Sequence, residues 1–330
     1  MPVYTRQSFI PPSGQANGHL QTIVPSMFRK ISGVEYKRER ITLQDGDFLD
    51  LDRIKQDSAH LIILTHGLEG HSQRHYITGT AKLLQAAGFD VLAWNCRSCS
   101  GEMNKTPKLY HHGDIHDIRE VIVHALKNKA YLSYSLIGYS MGGNISIKYA
   151  ALAKHPGKEL LNCIAAVSTP MDLRSSILRL EKWPGKFYGR RFFKRLEYKI
   201  RLKSAQFPDL IDASLLQHVK TWRDFDSYFS APMNGYEDEE AFYDGSSAIN
   251  FLDKVERPLL LIQAQNDPIL GPECHPIALA EQMEHIHLDL QYLGGHTGFV
   301  VKGQEHTYAE MKIRDWMVEQ HGMESKSESK

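Results

Sequence analysis

The sequence predicts an α/β protein, with a mostly parallel eight-stranded sheet, helices on both faces and a helical cap insertion. Three observations predict it. Short apolar runs alternate with stretches of helical periodicity, as expected of a sheet covered on both sides. Asp45-Gly46 sits between two extended segments, a hairpin signal that adds an antiparallel entry to the sheet. Finally, Gly138-Tyr139-Ser140-Met141-Gly142 follows an apolar run and precedes a helix candidate, which reads as strand, sharp turn, helix.

Taken in order, residues 1–33 are rich in Pro, Gly and polar side chains and are expected to lie as an extended arm over the body. Within the arm, Asn17-Gly18-His19-Leu20-Gln21-Thr22 carries no chemistry that the sequence alone reveals, and His19 reads as part of a structural loop. Residues 36–43 and 48–54 form the hairpin, and 60–65 form a buried strand ending at His66-Gly67-Leu68-Glu69-Gly70. A helix over 77–87 is closed by Gly88. Residues 91–94 give the next strand, and 114–126 has an acidic start with Ile115, Ile118, Val121, Ile122 and Ala125 at helical spacing. The run from Tyr131 leads into the Ser140 turn, with 145–153 helical after it. Strands follow at 163–168, 258–264 and 286–293, with a closing helix over 305–320.

The interval between residues 168 and 258 exceeds what one crossover needs, so it reads as an insertion. The expected organisation is an arm over 1–33, a core made of 34–171 and 251–322, a cap over 172–250 and a disordered polar tail over 323–330. The first part of the cap is strongly basic, from Arg174 to Lys203, against only Glu181 and Glu197, and its later part carries Glu237-Asp238-Glu239-Glu240. Phe192, Leu196 and Ile200 share one helical face there. A solvated basic surface is the plain reading, and weak peripheral contact with anionic lipid is the sharper one.

Composition narrows the function classes. With 330 residues, 42% of them hydrophobic, the chain can bury a large core. Lys+Arg and Asp+Glu balance at 39 each, so no global field points to nucleic acid. The N-terminus lacks a secretory apolar core and no run approaches a membrane span, which makes a cytoplasmic protein the expectation. Cys96-x-x-Cys99 is a lone pair with Cys163 and Cys274 far off in sequence, so the cysteines read as reduced structural thiols. His111-His112 with Asp114, His116 and Asp117 looks metal-like, but its spacing matches no zinc pattern and the acids fit a helix start. No metal or cofactor is expected.

Ser140 at the turn is the candidate nucleophile, since the turn exposes its hydroxyl at a helix N-terminus. A serine of ordinary pKa needs a base, and the base needs a carboxylate to fix its tautomer. Asp267 in Gln265-Asn266-Asp267-Pro268 and His296 in Gly294-Gly295-His296-Thr297-Gly298 each follow a strand, in the chain order Ser, Asp, His. Asp172 is a rival acid whose plain reading is a helix cap, and His285, His287 and His306 read as structural. The backbone N–H groups of Met141 and Leu68 are the expected oxyanion donors, with His66 shaping the loop and Glu69 ordering its turn.

The segments 17–22, 66–70, 138–144, 266–268 and 294–299, together with Asn95-Cys96-Arg97-Ser98-Cys99-Ser100-Gly101-Glu102, resemble the α/β-hydrolase superfamily. More narrowly, they resemble its AB hydrolase 4 family of YheT-like bacterial esterases and their eukaryotic relatives. The resemblance implies an α/β-hydrolase fold and a carboxylic ester hydrolase with Ser140, Asp267 and His296 as catalytic triad. Ser98 departs from it, since the family usually has Gly there. The expected partner is a small-molecule ester. The competing readings are a lipase, thioesterase or acyltransferase acting on lipid-like substrates, and a pocket that binds without turnover.

Overall fold

The computed structural model describes residues 3–154 and 157–323. Its elements run β1 (Val3–Arg6), α1 (Gly18–Phe28), β2 (Lys37–Thr42), β3 (Phe48–Ile54), β4 (His60–Thr65), α2 (His75–Ala86), β5 (Asp90–Trp94), α3 (His116–Asn128), β6 (Ser133–Tyr139), α4 (Met141–Leu152) and β7 (Leu161–Val167). After β7 come α5 (Leu173–Glu181), α6 (Lys186–Gln206), the short α7 (Trp222–Phe225) and α8 (Ala231–Met233), and α9 (Glu239–Ser246). β8 (Leu259–Ala264), α10 (Ile277–Gln282), β9 (Ile286–Gln291) and α11 (Tyr308–Gln320) close the chain. One sheet holds all the strands in the order β1-β9-β8-β7-β6-β4-β5-β3-β2. Only β2–β3 and β3–β5 pair antiparallel.

Among the described residues the sheet therefore has nine strands, where the sequence predicts eight. The ninth comes from the arm, whose Val3–Arg6 pairs in parallel with Leu288–Gln291 of β9. Its polar sequence shows no strand signal because it is a lightly covered edge, made by backbone pairing rather than by burial. The arm also departs from the expected extended form at α1, which Asn17 caps by accepting the His19 N–H at 2.8 Å. Elsewhere the hairpin forms as expected, with Gly46 at φ +81° in its turn.

Burial on both faces explains why the strands read as continuous apolar runs. In β4, Leu61 and Ile63 face one core with Ile118, Val121 and Ile122 of α3, while Ile62 and Leu64 face the other with Ile77, Ala81 and Leu84 of α2 and Ile313 and Met317 of α11. The same alternation divides β8.

Between β7 and β8, Leu196 and Ile200 of α6 gather with Phe225 and Phe229 in a separate apolar cluster, while Phe192, expected on the same face, packs with Leu180 and Ile269 in another. The basic stretch is not all solvated, contrary to its plain reading. Lys199 is buried against Glu69 at 2.7 Å, and Lys203 is buried with its amine on the carbonyls of Asn104 and Thr106. The acidic stretch pairs back onto the basic one through Arg174–Glu240 and Arg223–Glu239. The expected disordered tail lies outside the described residues apart from Met323, which packs against the sheet's second core. No helix among the described residues is long and apolar enough to cross a membrane.

Candidate active site

The turn between β6 and α4 holds Ser140 at φ +54°, ψ −123°, a region costly for a residue with a side chain. Neighbouring glycines make room for it. A Cβ on Gly138 would lie 2.2 Å from the Gly142 carbonyl oxygen, and one on Gly142 would lie 2.3 Å from that of Thr65. The Ser140 N–H is anchored on the Val167 carbonyl at 2.8 Å, which fixes the turn against β7.

The three residues singled out from the sequence meet at this turn. His296 Nε2 lies 2.9 Å from Ser140 Oγ, and its Nδ1 lies 2.8 Å from Asp267 Oδ2. Because the carboxylate can only accept, Nδ1 carries the proton and Nε2 offers its lone pair to the serine hydroxyl. Asp267 is almost fully buried, and its other oxygen accepts the N–H groups of Ile269 at 2.8 Å and Leu270 at 3.3 Å. Those bonds hold the carboxylate's orientation.

The loop after β4 closes over the serine from the opposite side. A Cβ on Gly67 would come 3.0 Å from the Ser140 Cβ, tight enough that the loop would have to give by a few tenths of an ångström, so glycine eases its close approach. The N–H groups of Gly67 and Glu69 donate to the hydroxyls of Tyr76 and Tyr110, and that of Gly70 to the Gly67 carbonyl. The Leu68 N–H between them, like that of Met141, has no hydrogen-bond partner among the described residues. His66 accepts the Cys96 N–H on Nε2 at 3.0 Å and donates from Nδ1 to the Gly67 carbonyl at 2.8 Å. Complete burial drives its pKa down to about 3, so it stays neutral and shapes the loop. The Glu69 carboxylate takes the Tyr110 hydroxyl and the Lys199 ammonium, tying the loop to α6.

The rivals lie elsewhere. Asp172 caps α5 by accepting the Ser175 N–H. His285 bonds the Val255 carbonyl, His287 rests against Trp316 and His306 meets Glu310. In the metal-like stretch, Asp114 pairs with Lys108, Asp117 with Arg97, and the His111 ring packs among Tyr236 and Phe242. All four cysteines are free thiols. Ser98 sits at φ +59°, a conformation that glycine adopts freely, and a reciprocal pair of hydrogen bonds with Asn104 holds it there.

Sequence reasoning missed the framework beneath the loops that carry Asp267 and His296. Thr22 Oγ1 accepts the His296 N–H at 2.8 Å and donates to the Gly18 carbonyl at 2.7 Å. Gln21 Oε1 accepts the Gly294 N–H at 2.9 Å and the Asn266 amide at 2.8 Å, while Asn266 Oδ1 accepts Gly294 and Gly295 N–H groups at 3.0 Å. A Cβ on Gly18 would stand 1.9 Å from the Asn266 carbonyl oxygen, so α1 packs directly on the acid loop. The segment 17–22 thus seats both loops. Its partners are hundreds of positions away, and no local pattern announces them.

Comparison with known proteins agrees with this architecture. The sequence profile of the alpha/beta hydrolase fold matches residues 60–302. The chain is 30% identical over 320 residues to "Putative esterase YheT" of Escherichia coli (strain K12), covering 94% of this chain and 92% of that one. It is 26% identical to human "Phospholipase ABHD3", over 98% of this chain and 82% of that one. It is 27% identical to the Saccharomyces cerevisiae "Monoacylglycerol lipase", over 78% of this chain and 59% of that one. Among solved structures, the esterase Pf2001 of Pyrococcus furiosus superposes with a TM-score of 0.56 at 19% identity, covering 88% of this chain and 96% of that one, a likeness of fold. Sheet order, turn geometry and sequence match converge, and the chain belongs to the α/β-hydrolase fold family, among its YheT-like, esterase- and lipase-type members.

Proposed function

We propose that the protein is a serine hydrolase that cleaves carboxylic esters of short to medium acyl chain through an acyl-enzyme. Ser140 attacks the ester carbonyl while His296 Nε2 takes its proton, and Asp267 stabilises the imidazolium that results. The N–H groups of Leu68 and Met141 receive the oxyanion. The tetrahedral intermediate then collapses, breaking the C–O bond, and His296 returns its proton to the leaving alcohol. Water, deprotonated by the same imidazole, releases the acid and restores the serine. No metal or cofactor takes part in this scheme. We take residues 172–250 as the cap over this site.

The observation carrying the reading is the continuous line from Asp267 Oδ2 through His296 to Ser140 Oγ, at 2.8 and 2.9 Å, beside two unengaged backbone donors. The test is Ser140→Ala with p-nitrophenyl butyrate. Turnover should fall by about 10⁴-fold or more with the melting temperature nearly unchanged. Activity persisting in the variant would reject the assignment. A fluorophosphonate probe separates an enzyme from a binding-only protein, since only an activated Ser140 takes the label.

A second reading, a lipase, thioesterase or acyltransferase on lipid-like substrates, draws support from an apolar cavity beside Ser140, lined by Leu109, Leu196, Trp222, Phe225 and Phe229. About 970 Å³ of empty space, open solvent at its mouth included, lies within it. The names of the lipase and phospholipase relatives point the same way. Rates across p-nitrophenyl acetate, butyrate, octanoate and palmitate decide between the two: a maximum at palmitate favours the lipid reading.

A further inference from the structure

Ser140 stands where two cavities of opposite character meet, both lined by Ser140, Leu68, Phe192, Ile269 and His296. One is the apolar cavity just described. The other opens past Arg74 at the start of α2 and Arg191 and Arg195 on α6, and no Asp or Glu lines it. Arg74 and Arg195 both donate to one oxygen, the Glu69 backbone carbonyl, each at 3.1 Å. Arg191 precedes Arg195 by one helical turn, a spacing at which like charges destabilise a helix.

Nothing among the described residues neutralises these cations. Glu69, the acid of that loop, is already engaged by Lys199 and Tyr110. Of the other arginines of the region, Arg174, Arg201 and Arg223 each pair with a carboxylate, and Arg179 and Arg190, which do not, line neither cavity that meets at Ser140. Loss of water and the fields of Arg195 and Arg74 lower the Arg191 pKa from its usual value. A charge cluster that disfavours the empty protein, and that borders the reacting hydroxyl, is accounted for by a ligand that carries the opposite charge.

Resting on the ester-hydrolase reading, we propose that Arg74, Arg191 and Arg195 form an anion subsite, and that the substrate is an ester joining an apolar acyl chain to a phosphorylated alcohol. Three guanidinium groups suit a phosphate monoester, which carries up to two charges and several acceptor oxygens, better than a single carboxylate. The chain fills the apolar cavity, the carbonyl lies at Ser140, and the alcohol leaves through the cationic mouth with its phosphate.

The test compares 1-octanoylglycerol with 1-octanoylglycerol 3-phosphate, both below their micellar concentrations. The wild-type kcat/KM should favour the phosphorylated ester by at least about tenfold at low salt, with the preference shrinking as salt rises. Arg191→Gln/Arg195→Gln should bring the ratio to within about twofold of unity. Arg201→Gln, on the same helix but paired with Glu197, should leave the ratio as in the wild type. Calorimetric binding of the two esters to Ser140→Ala reads the same subsite without turnover, so loss of the hydrolase reading would not hide the result. Equal handling of both esters, or an unchanged ratio in the double variant, overturns the proposal. A preference that appears only when the esters are presented in anionic vesicles also overturns it, because the arginines would then be reading a lipid surface.

Discussion

His296 does not hold its position unaided. Its backbone N–H is buried and depends on one acceptor, Thr22 Oγ1 at 2.8 Å, contributed by a helix 274 positions away in sequence. Thr22→Val keeps the shape and removes the acceptor, leaving a buried donor unsatisfied at a cost of about 1–3 kcal/mol. Because the loop that carries His296 is strained, with positive φ at Gly295, Thr297 and Phe299, that energy can be relieved by local movement of His296. The expected outcome is a kcat lowered by about 10–100-fold with KM within a few-fold, since positioning of the imidazole changes while the pocket walls remain. Thr22→Ser, which retains the hydroxyl, should recover most of the rate. Wild-type kcat in Thr22→Val would show that Thr22 does not position the base.

At the scale of elements, α6 ties the region between β7 and β8 to the loop that carries Leu68. Lys199 reaches from α6 to Glu69 with both side chains buried, and Tyr110 completes the contact. Lys199→Met leaves a buried carboxylate without its cation and should destabilise the protein by about 3–5 kcal/mol. The double variant Lys199→Met/Glu69→Gln should recover a large part of that loss, as denaturant midpoints would report; no recovery would mean that Lys199 matters through packing alone. The elements also explain what was legible. β4, β6, β7 and β8 could be read because burial on both faces leaves unbroken apolar runs; Asp267 was legible because it follows β8, and His296 because it comes after the last strand in the chain order Ser, Asp, His, within a glycine-rich turn. β1 and α1 could not, since one is an edge strand held by backbone pairing and the other is a short helix with Pro25 inside it. The contacts of Gln21 and Asn266 were invisible for the related reason that a polar side chain does not reveal a partner distant in sequence. Lys199 and Lys203 misled in the other direction, because a basic run looks solvated whichever of its members turn inward.

For the whole molecule, a pH dependence that can be isolated by one substitution should come from Asp226, buried in the wall of the apolar cavity. Its oxygens accept the hydroxyls of Ser230 and Tyr243, and no cation pairs with it among the described residues. Burial, with Glu239 and Glu181 nearby, raises its pKa to about 7. The folded state therefore holds this proton more tightly than the unfolded chain, whose carboxyl titrates near the ordinary value of about 4. The stabilisation is complete below about pH 4, declines as pH rises toward 7, and is level above that. Asp226→Asn keeps a polar amide of the same shape without a charge to bury. Relative to wild type it should be close to neutral at pH 4.5 and stabilising by on the order of 2 kcal/mol at pH 8. Urea midpoints of the two proteins across this range measure the difference, in which the titrations of all the other groups cancel. A stability difference that does not grow between pH 4.5 and 8 would show that Asp226 is ionised in the native protein at little cost, and that water or a cation reaches the cavity wall at neutral pH.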